Sequence, residues 1–294
     1  MTNQQRKLLK EFNKLTQSIQ ILTTGDNKRF LELSHVYKSD RKRIHKEILH
    51  KYTDLFAVIQ SIRKLSVLGV QNVDSLVEEN EADFQHCIKR YNALKPLLIK
   101  YIDVFDEIIC LIENGFPDGA MQRWRTFLEY SIIIIFILEQ GEEVAEAYGE
   151  NFLKSIEDGL RPRTNFAWAK AAKCLKEEKQ ISITKLLDNI NGIDSKNKNF
   201  YRAFYKLISQ SIHGSPVGIN LSFNDHISFD INDLNTKDSN YYTGGISTVI
   251  TNTMNLLFYT FTIYFNTIPD GGVNIKEFFK EQSKEYVKVY KRFF

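Results

Sequence analysis

Cysteine is scarce in this chain and is not arranged to bind a metal. Only three cysteines occur in 294 residues, and no pair has Cys-x-x-Cys spacing. The odd number and wide separation of Cys87, Cys110 and Cys174 exclude a disulfide framework and a zinc site of the usual spacing. They predict reduced side chains in a cytoplasmic protein. The polar N-terminal sequence also lacks a signal-peptide core, which agrees with that localisation.

A strong excess of one charge is also missing. The chain has 39 Lys and Arg against 36 Asp and Glu, a formal net charge of +3. This balance excludes the globally basic surface that is typical of many nucleic-acid-binding proteins. The basic residues are nevertheless concentrated in the first fifty positions, with a dense group from Lys38 to Lys46. That group predicts either a solvated helix face or a contact with RNA or DNA.

The familiar catalytic and phosphate-binding motifs are absent as well. No Gly-x-Gly-x-x-Gly run, Walker A loop, His-Glu-x-x-His pair or nucleophile elbow occurs in the sequence. We therefore expect neither a metal nor a cofactor. Residues 244–267 carry no charge, but Thr and Asn interrupt the run repeatedly. The sequence thus favours a buried helix over a membrane span there, and predicts no membrane partner.

Helical periodicity fills most of the remaining chain. It predicts an all-α fold: a multi-helix bundle around a buried central helix, with a charged N-terminal helical arm. The predicted division is 1–72 for the basic arm and 73–294 for the bundle domain. Residues 69–74 are predicted to form a loop, and Pro96 the first turn of a helix. The stretch 216–245 is predicted to be one long loop or a small hairpin.

The run from Gly115 to Leu138 is the segment around which we expect the fold to be organised. Gly115 suits the position after a helix C-terminus, and Asp118 suits the N-cap of the next helix. From Ser131 to Leu138 the run is apolar on every face, which is typical of a helix buried in the middle of a bundle. Eight residues are too few to cross a bilayer, which needs about 20.

Charged residues mark the start of this central helix. Arg125 and Glu129 are four residues apart and therefore share a helix face, with Arg123 and Trp124 beside them. One interpretation is a structural Arg125–Glu129 ion pair. The other is a pocket in which the arginines bind an anion such as phosphate.

A second group of polar residues recurs at intervals of four. Tyr205, Ser209 and His213 fall on one face of a predicted helix, and His213 stands immediately before Gly214. His213 either caps the helix or transfers protons. If it faces Arg125 and Glu129, a histidine could move a proton at an RNA 2′-hydroxyl or leaving oxygen while an arginine holds the phosphate.

These runs resemble a bacterial family catalogued as domain of unknown function 5677. The similarity lies in Glu113–Glu129, in Gly141–Tyr148 and in Tyr205–Ser215, with an aromatic pair at Phe166 and Trp168. It covers about residues 75–265. The resemblance implies a helical bundle and a shared site.

A looser similarity is to the HEPN group of small helical nucleases from prokaryotic defence and toxin systems. That group uses an Arg-x4-6-His motif, usually in dimers. This chain departs from the motif, because Arg202 precedes His213 by eleven residues.

The sequence therefore leads to two hypotheses. The first is a cytoplasmic defence or toxin-like effector, a metal-independent ribonuclease with Arg125, Glu129 and His213 as catalytic residues. Arg123, Trp124, Tyr205 and Ser209 are then its binding residues. The alternative is a non-catalytic helical module that binds a nucleotide, nucleic acid or partner protein. The expected partners are RNA or a nucleotide, a protein bound through the N-terminal arm, and a second copy of the chain in a homodimer.

Overall fold

The computed structural model describes residues 42–157, 166–212, 243–267 and 273–294. The predicted loop or hairpin over 216–245 lies outside these residues up to 242, and residues 243–245 begin a helix. The chain divides into two compact units, Met1–Lys51 and Tyr52–Phe294. Residues 42–51 of the first unit are helical, with an exposed Arg43–Glu47 ion pair at 3.0 Å. The division predicted at residue 72 stays a prediction.

The described part of the second unit is entirely helical apart from its connections. In chain order its helices are α1 (Thr53–Glu79), α2 (Glu81–Phe84), α3 (Ile88–Glu113), α4 (Pro117–Gln140), α5 (Glu142–Glu157), α6 (Ile183–Asp188), α7 (Ser195–Ile212), α8 (Thr243–Asn266) and α9 (Val273–Tyr290). Two short 3-10 turns, Ala167–Ala171 and Lys173–Leu175, lie between α5 and α6. No strand occurs in the ranges described, so the predicted all-α fold is confirmed.

Helix α4 is the buried centre of the bundle, as predicted. It packs against α3 and α8 along most of its length, and against α5, α6 and α7 over shorter stretches. Its side chains from Ile134 to Ile137 are completely buried. A helix that is apolar on every face reaches this state only when neighbours surround it.

A small polar network joins the three longest central helices. The Tyr101 ring of α3 stacks on Phe127 of α4, with centroids 3.9 Å apart. The Tyr101 hydroxyl lies 3.1 Å from the Thr260 hydroxyl of α8, which lies 2.7 Å from the Ser131 hydroxyl of α4. All three hydroxyls are buried and paired, which avoids the cost of an unsatisfied polar group. The network therefore fixes how α3, α4 and α8 face one another.

The turn before α4 positions the start of the central helix. Gly115 has φ 77°, and its N–H donates to the Ile112 carbonyl at 3.0 Å. The Phe116 N–H donates to the Leu111 carbonyl at 2.8 Å. This pattern of two bonds is a Schellman C-cap and confirms the predicted role of Gly115. The predicted N-cap was wrong: Phe116 holds that position, and Pro117 begins the helix because proline is favoured in a first turn.

Two predicted helix breaks were also wrong. Residues 69–74 lie inside α1, where Gly69, Val70 and Val73 are buried. Pro96 lies in the interior of α3, and the chain breaks instead at residues 85–87. Buried apolar neighbours such as Leu97 and Leu98 keep α3 continuous, since their burial outweighs the local cost of one proline.

Helix α8 is buried in the protein, as predicted for residues 244–267. Its apolar face, including Ile250, Leu257 and Phe261, is fully covered. Within the ranges that the structure describes, no helix combines the length and apolar character that crossing a membrane requires.

Candidate functional site

Helices α4 and α7 bring three of the predicted site residues together. Nη2 of Arg125 donates to the Tyr205 hydroxyl oxygen at 2.7 Å, and that hydroxyl donates to Oε1 of Glu129 at 2.6 Å. Nε of Arg125 lies 3.4 Å from the same carboxylate oxygen. The guanidinium also lies over the Tyr205 ring, 4.5 Å from its centroid. We call Arg125, Glu129 and Tyr205 the Arg125 cluster.

The Arg125 cluster is partly open to solvent. The side chains of Arg125 and Glu129 are 27% and 33% exposed. Burial raises the pKa of the Tyr205 phenol, and its hydrogen bond to Glu129 raises it further, while Arg125 acts in the opposite direction. The phenol is therefore neutral at physiological pH and can donate to the carboxylate.

Arg125 and Glu129 each keep at least one polar atom without a hydrogen-bond partner among the described residues. Nη1 of Arg125 and Oε2 of Glu129 have no hydrogen-bond partner among the described residues, whereas Nη2 and Oε1 are fixed through Tyr205. A guanidinium edge and a carboxylate oxygen are thus both available at one site. The first can bind an anionic oxygen and the second can accept a proton.

The remaining predicted binding residues have other contacts. Arg123 forms an ion pair with Glu107 of α3, so Arg123 and Arg125 pair with different carboxylates. Trp124 is completely buried and packs edge to face with Phe204 of α7, at 5.6 Å between centroids. The Ser209 hydroxyl donates to the Tyr205 carbonyl at 2.7 Å, within α7. Their predicted binding roles stay predictions.

His213 lies outside the described residues. It follows Ile212, the last residue of α7, and whether it faces the Arg125 cluster stays a prediction. What the structure adds is that α7, the helix leading to His213, contacts α4 directly at the cluster.

An acidic side chain that the sequence analysis did not single out anchors the connection before α7. The Glu139 carboxylate, at the end of α4, accepts from the backbone N–H groups of Asn191 at 2.7 Å and Gly192 at 2.8 Å. A Cβ at Gly192 would lie 2.9 Å from Oε1 of Glu139 and 3.1 Å from the Tyr259 hydroxyl. The close approach explains the glycine. Together with the Trp124–Phe204 contact, this clamp determines where α7 lies along α4.

A concave region surrounds Pro96, apart from the Arg125 cluster. It encloses about 330 Å³ between α3, α4 and α5, and is lined by Asn92, Ala93, Pro96, Leu97, Lys100, Tyr130, Tyr148 and Gly149. Pro96 has no N–H, so the Asn92 carbonyl lacks its usual helical partner. Burial is the main cause that raises the pKa of the Tyr148 phenol to about 12. The sequence did not predict this region, because it placed Pro96 in a first turn and not in mid-helix.

Metal-binding groups are not concentrated anywhere in the described ranges. No group of three or more His, Cys, Asp and Glu side chains there could hold a metal ion.

Comparison with known proteins supports the family resemblance. No curated protein and no solved structure matches the chain. A family model does match, and its range contains α4, α7 and all three residues of the Arg125 cluster. The resemblance inferred from the sequence is therefore confirmed: residues 91–231 match the model of a family of unknown function, DUF5677.

Proposed function

We propose that the protein is a metal-independent ribonuclease whose site is the Arg125 cluster together with His213. The observation that carries this proposal is the pair of uncommitted atoms, Nη1 of Arg125 and Oε2 of Glu129, held on one partly exposed cluster. Phosphodiester transfer needs both an anion-binding group and a proton acceptor, and the cluster supplies one of each.

The reaction follows from these groups. Oε2 of Glu129 takes the proton of an RNA 2′-hydroxyl, and the 2′-oxygen attacks the adjacent phosphorus. The P–O5′ bond breaks, and the 5′-oxygen leaves with a proton from the His213 imidazolium. The products are a 2′,3′-cyclic phosphate and a 5′-hydroxyl. Arg125 binds a phosphate oxygen through Nη1 and stabilises the charge that develops there.

Tyr205 has a positioning role in this proposal. Its hydroxyl connects the arginine to the carboxylate, and its ring lies under the guanidinium. It therefore holds the two groups in one relative orientation without contacting the reacting atoms. Fixed orientation of this kind is a large part of how enzymes lower a barrier.

The cellular role that goes with this chemistry is that of a defence or toxin-like effector. An enzyme that cleaves cellular RNA arrests growth, which is the effect of a toxin-like effector. A homodimer and a partner protein bound through the N-terminal arm belong to the same proposal.

A non-catalytic binding module is the second candidate. The observation that favours it is that both arginines are already paired, Arg123 with Glu107 and Arg125 with Glu129. Arginines in such pairs commonly stabilise a fold. If the protein is such a module, Arg125→Ala weakens ligand binding and His213→Ala has little effect on it.

Expression of matched variants in bacteria separates the two candidates. Growth and total RNA integrity are recorded for wild type, His213→Ala and Arg125→Ala. The control for the histidine is His86→Ala, an exposed histidine in another part of the chain. The control for the arginine is Arg63→Ala, which removes an arginine of similar exposure from its ion pair with Asp106.

The ribonuclease proposal predicts growth arrest with RNA cleavage in wild type and both controls, and neither in His213→Ala or Arg125→Ala. Wild-type protein that neither arrests growth nor cleaves RNA contradicts it. Cleavage that persists in His213→Ala at wild-type level also contradicts it. In both cases the binding module is favoured.

A further inference from the structure

Helix α7 carries charge of only one sign. Its basic residues are Lys196, Lys198, Arg202 and Lys206, and it contains no Asp or Glu. Two of them are anchored locally: Arg202 forms an ion pair with Asp188, and Lys198 donates to the Asp188 carbonyl at 2.9 Å. Lys196 and Lys206 are exposed and form no ion pair with any described residue. The ammonium groups of Lys196 and Lys206 are therefore available to bind an anionic partner.

The stability of α7 does not explain these charges. Two of the four basic residues, Lys196 and Lys198, lie in its first turn, where the positive end of the helix dipole disfavours cations. Asp194, just before the helix, offsets part of this by accepting from the Asn197 N–H at 2.9 Å. A helix selected only for stability would place Asp or Glu in its first turn. The composition of α7 fits a negatively charged partner better.

Phe200 and Phe204 form an aromatic row on the same helix. Phe200 is 41% exposed, although it is a large apolar side chain. Its ring stacks on Phe204, with centroids 5.0 Å apart and planes at 22°, and Phe204 packs edge to face on the buried Trp124. Phe204 thus supports the Phe200 ring, while part of that ring stays open to solvent. Supported rings of this kind are the platforms on which unpaired bases stack.

The row ends at the Arg125 cluster. Phe204 and Tyr205 are adjacent on α7, and they contact the adjacent residues Trp124 and Arg125 on α4. Phe200 precedes Tyr205 by five residues, about 7.5 Å of helix rise. Two stacked nucleotides span about the same length, at roughly 3.4 Å each. A strand with a base on Phe200 has to curve around α7 to place a phosphate at the cluster, because Phe200 and Tyr205 are roughly 140° apart around the helix axis.

We propose that α7 binds single-stranded RNA, with an unpaired base stacked on Phe200 and backbone phosphates at Lys206 and Lys196. This inference rests on the proposed function and specifies its substrate class. A duplex does not fit this surface, because its bases are stacked on each other and present only their edges. The strand then runs along α7 toward the Arg125 cluster.

Binding of an uncleavable probe tests the proposal without relying on catalysis. The probe is a fluorescein-labelled 12-nucleotide RNA with 2′-O-methyl groups throughout, which has no 2′-hydroxyl to attack. Fluorescence anisotropy gives the Kd for wild type, Phe200→Ala, Phe200→Tyr and Lys206→Gln. The matched controls are Val287→Ala, which truncates an exposed apolar residue of α9, and Lys284→Gln, which removes an exposed lysine there. Thermal unfolding confirms that each variant is folded.

We expect Phe200→Ala to weaken binding about tenfold or more, because one base–aromatic stack is lost. Phe200→Tyr retains affinity, since the ring remains. Lys206→Gln lowers the slope of log K against log salt by about 0.7, the value for one phosphate contact on a single strand. Both controls bind like wild type, and the same probe in a duplex binds at least tenfold more weakly.

The proposal is overturned if Phe200→Ala and Lys206→Gln bind like wild type, if the duplex binds as tightly as the single strand, or if wild type does not bind the probe. Its failure is distinct from failure of the ribonuclease proposal. If unmodified RNA is cleaved but binding of the probe does not depend on Phe200, only the proposal of an α7 binding surface is refuted. If binding of the probe depends on Phe200 but unmodified RNA is not cleaved, only the ribonuclease proposal is refuted.

Discussion

Replacement of Tyr205 by phenylalanine tests whether the Arg125 cluster is as cohesive as its geometry indicates. The change removes one hydroxyl that donates to Glu129 at 2.6 Å and accepts from Arg125 at 2.7 Å. The ring and its contact with the guanidinium remain. Hydrogen bonds to charged groups contribute about 1.5–3 kcal/mol each when buried. Because this cluster is partly exposed, hydrogen bonds to water replace much of this contribution. We therefore expect the free energy of unfolding to fall by about 1–2 kcal/mol in all.

Urea denaturation of wild type and Tyr205→Phe measures this loss, with an unchanged m-value as the sign that only stability has changed. A double-mutant cycle with Glu129→Gln isolates the bond between the two residues, and we expect a coupling of about 0.5–1 kcal/mol. A Tyr205→Phe variant within about 0.3 kcal/mol of wild type refutes the reasoning. Zero coupling in the cycle also refutes it, because the hydroxyl would then contribute nothing to the cluster.

The pH dependence of the same pair of proteins follows from the pKa of Tyr205. Burial and Glu129 raise that pKa above its ordinary value of 10.0. The folded protein therefore keeps the phenolic proton where the unfolded chain loses it. The stabilisation is complete below about pH 10 and is lost as the pH rises through the folded-state pKa. Wild type should exceed Tyr205→Phe by a constant margin from pH 7 to 9, and the margin should shrink above pH 10. A margin that grows above pH 10 would contradict this sign.

Three further substitutions test the backbone features that position the site. Pro96→Ala should stabilise the protein by about 1–3 kcal/mol, because it restores an N–H inside α3, and a lower Tm would contradict this. Gly115→Ala should destabilise it by about 1–2 kcal/mol, since φ is 77° there, and denaturation at equal m-value measures the loss. Gly192→Ala should cost about 1 kcal/mol or more, because its Cβ displaces the Glu139 carboxylate from two N–H groups; an unchanged Tm would be inconsistent with the clamp.

The sequence predicted the central helix well because its signal is local. A glycine after the preceding helix and an eight-residue apolar run indicate α4, although Phe116 and not the predicted Asp118 is its N-cap. Pro96 and residues 69–74 were predicted at helix boundaries, but both lie inside helices. Glycine and proline weaken a helix locally, but burial of neighbouring apolar residues in α1 and α3 decided the outcome.

The candidate site could be predicted only in part. The Arg125–Glu129 spacing is visible on one helix, and Tyr205 was recognised from its own repeat of four. The hydrogen bonds that join them depend on how α7 packs against α4, and no local pattern contains that information. The Glu139 clamp was missed for the same reason, since an acidic residue at a helix end usually faces solvent.

The most direct test of the ribonuclease proposal uses purified protein and a 5′-labelled RNA in buffer with excess EDTA. We expect cleavage that leaves a 2′,3′-cyclic phosphate, and no cleavage where the scissile nucleotide is 2′-deoxy. Glu129→Gln and His213→Ala should each slow the reaction by about 10²–10⁴-fold, the usual contribution of a general base or acid, while Arg63→Ala cleaves like wild type. Intact RNA with folded wild-type protein, or equal rates in all four proteins, would contradict it.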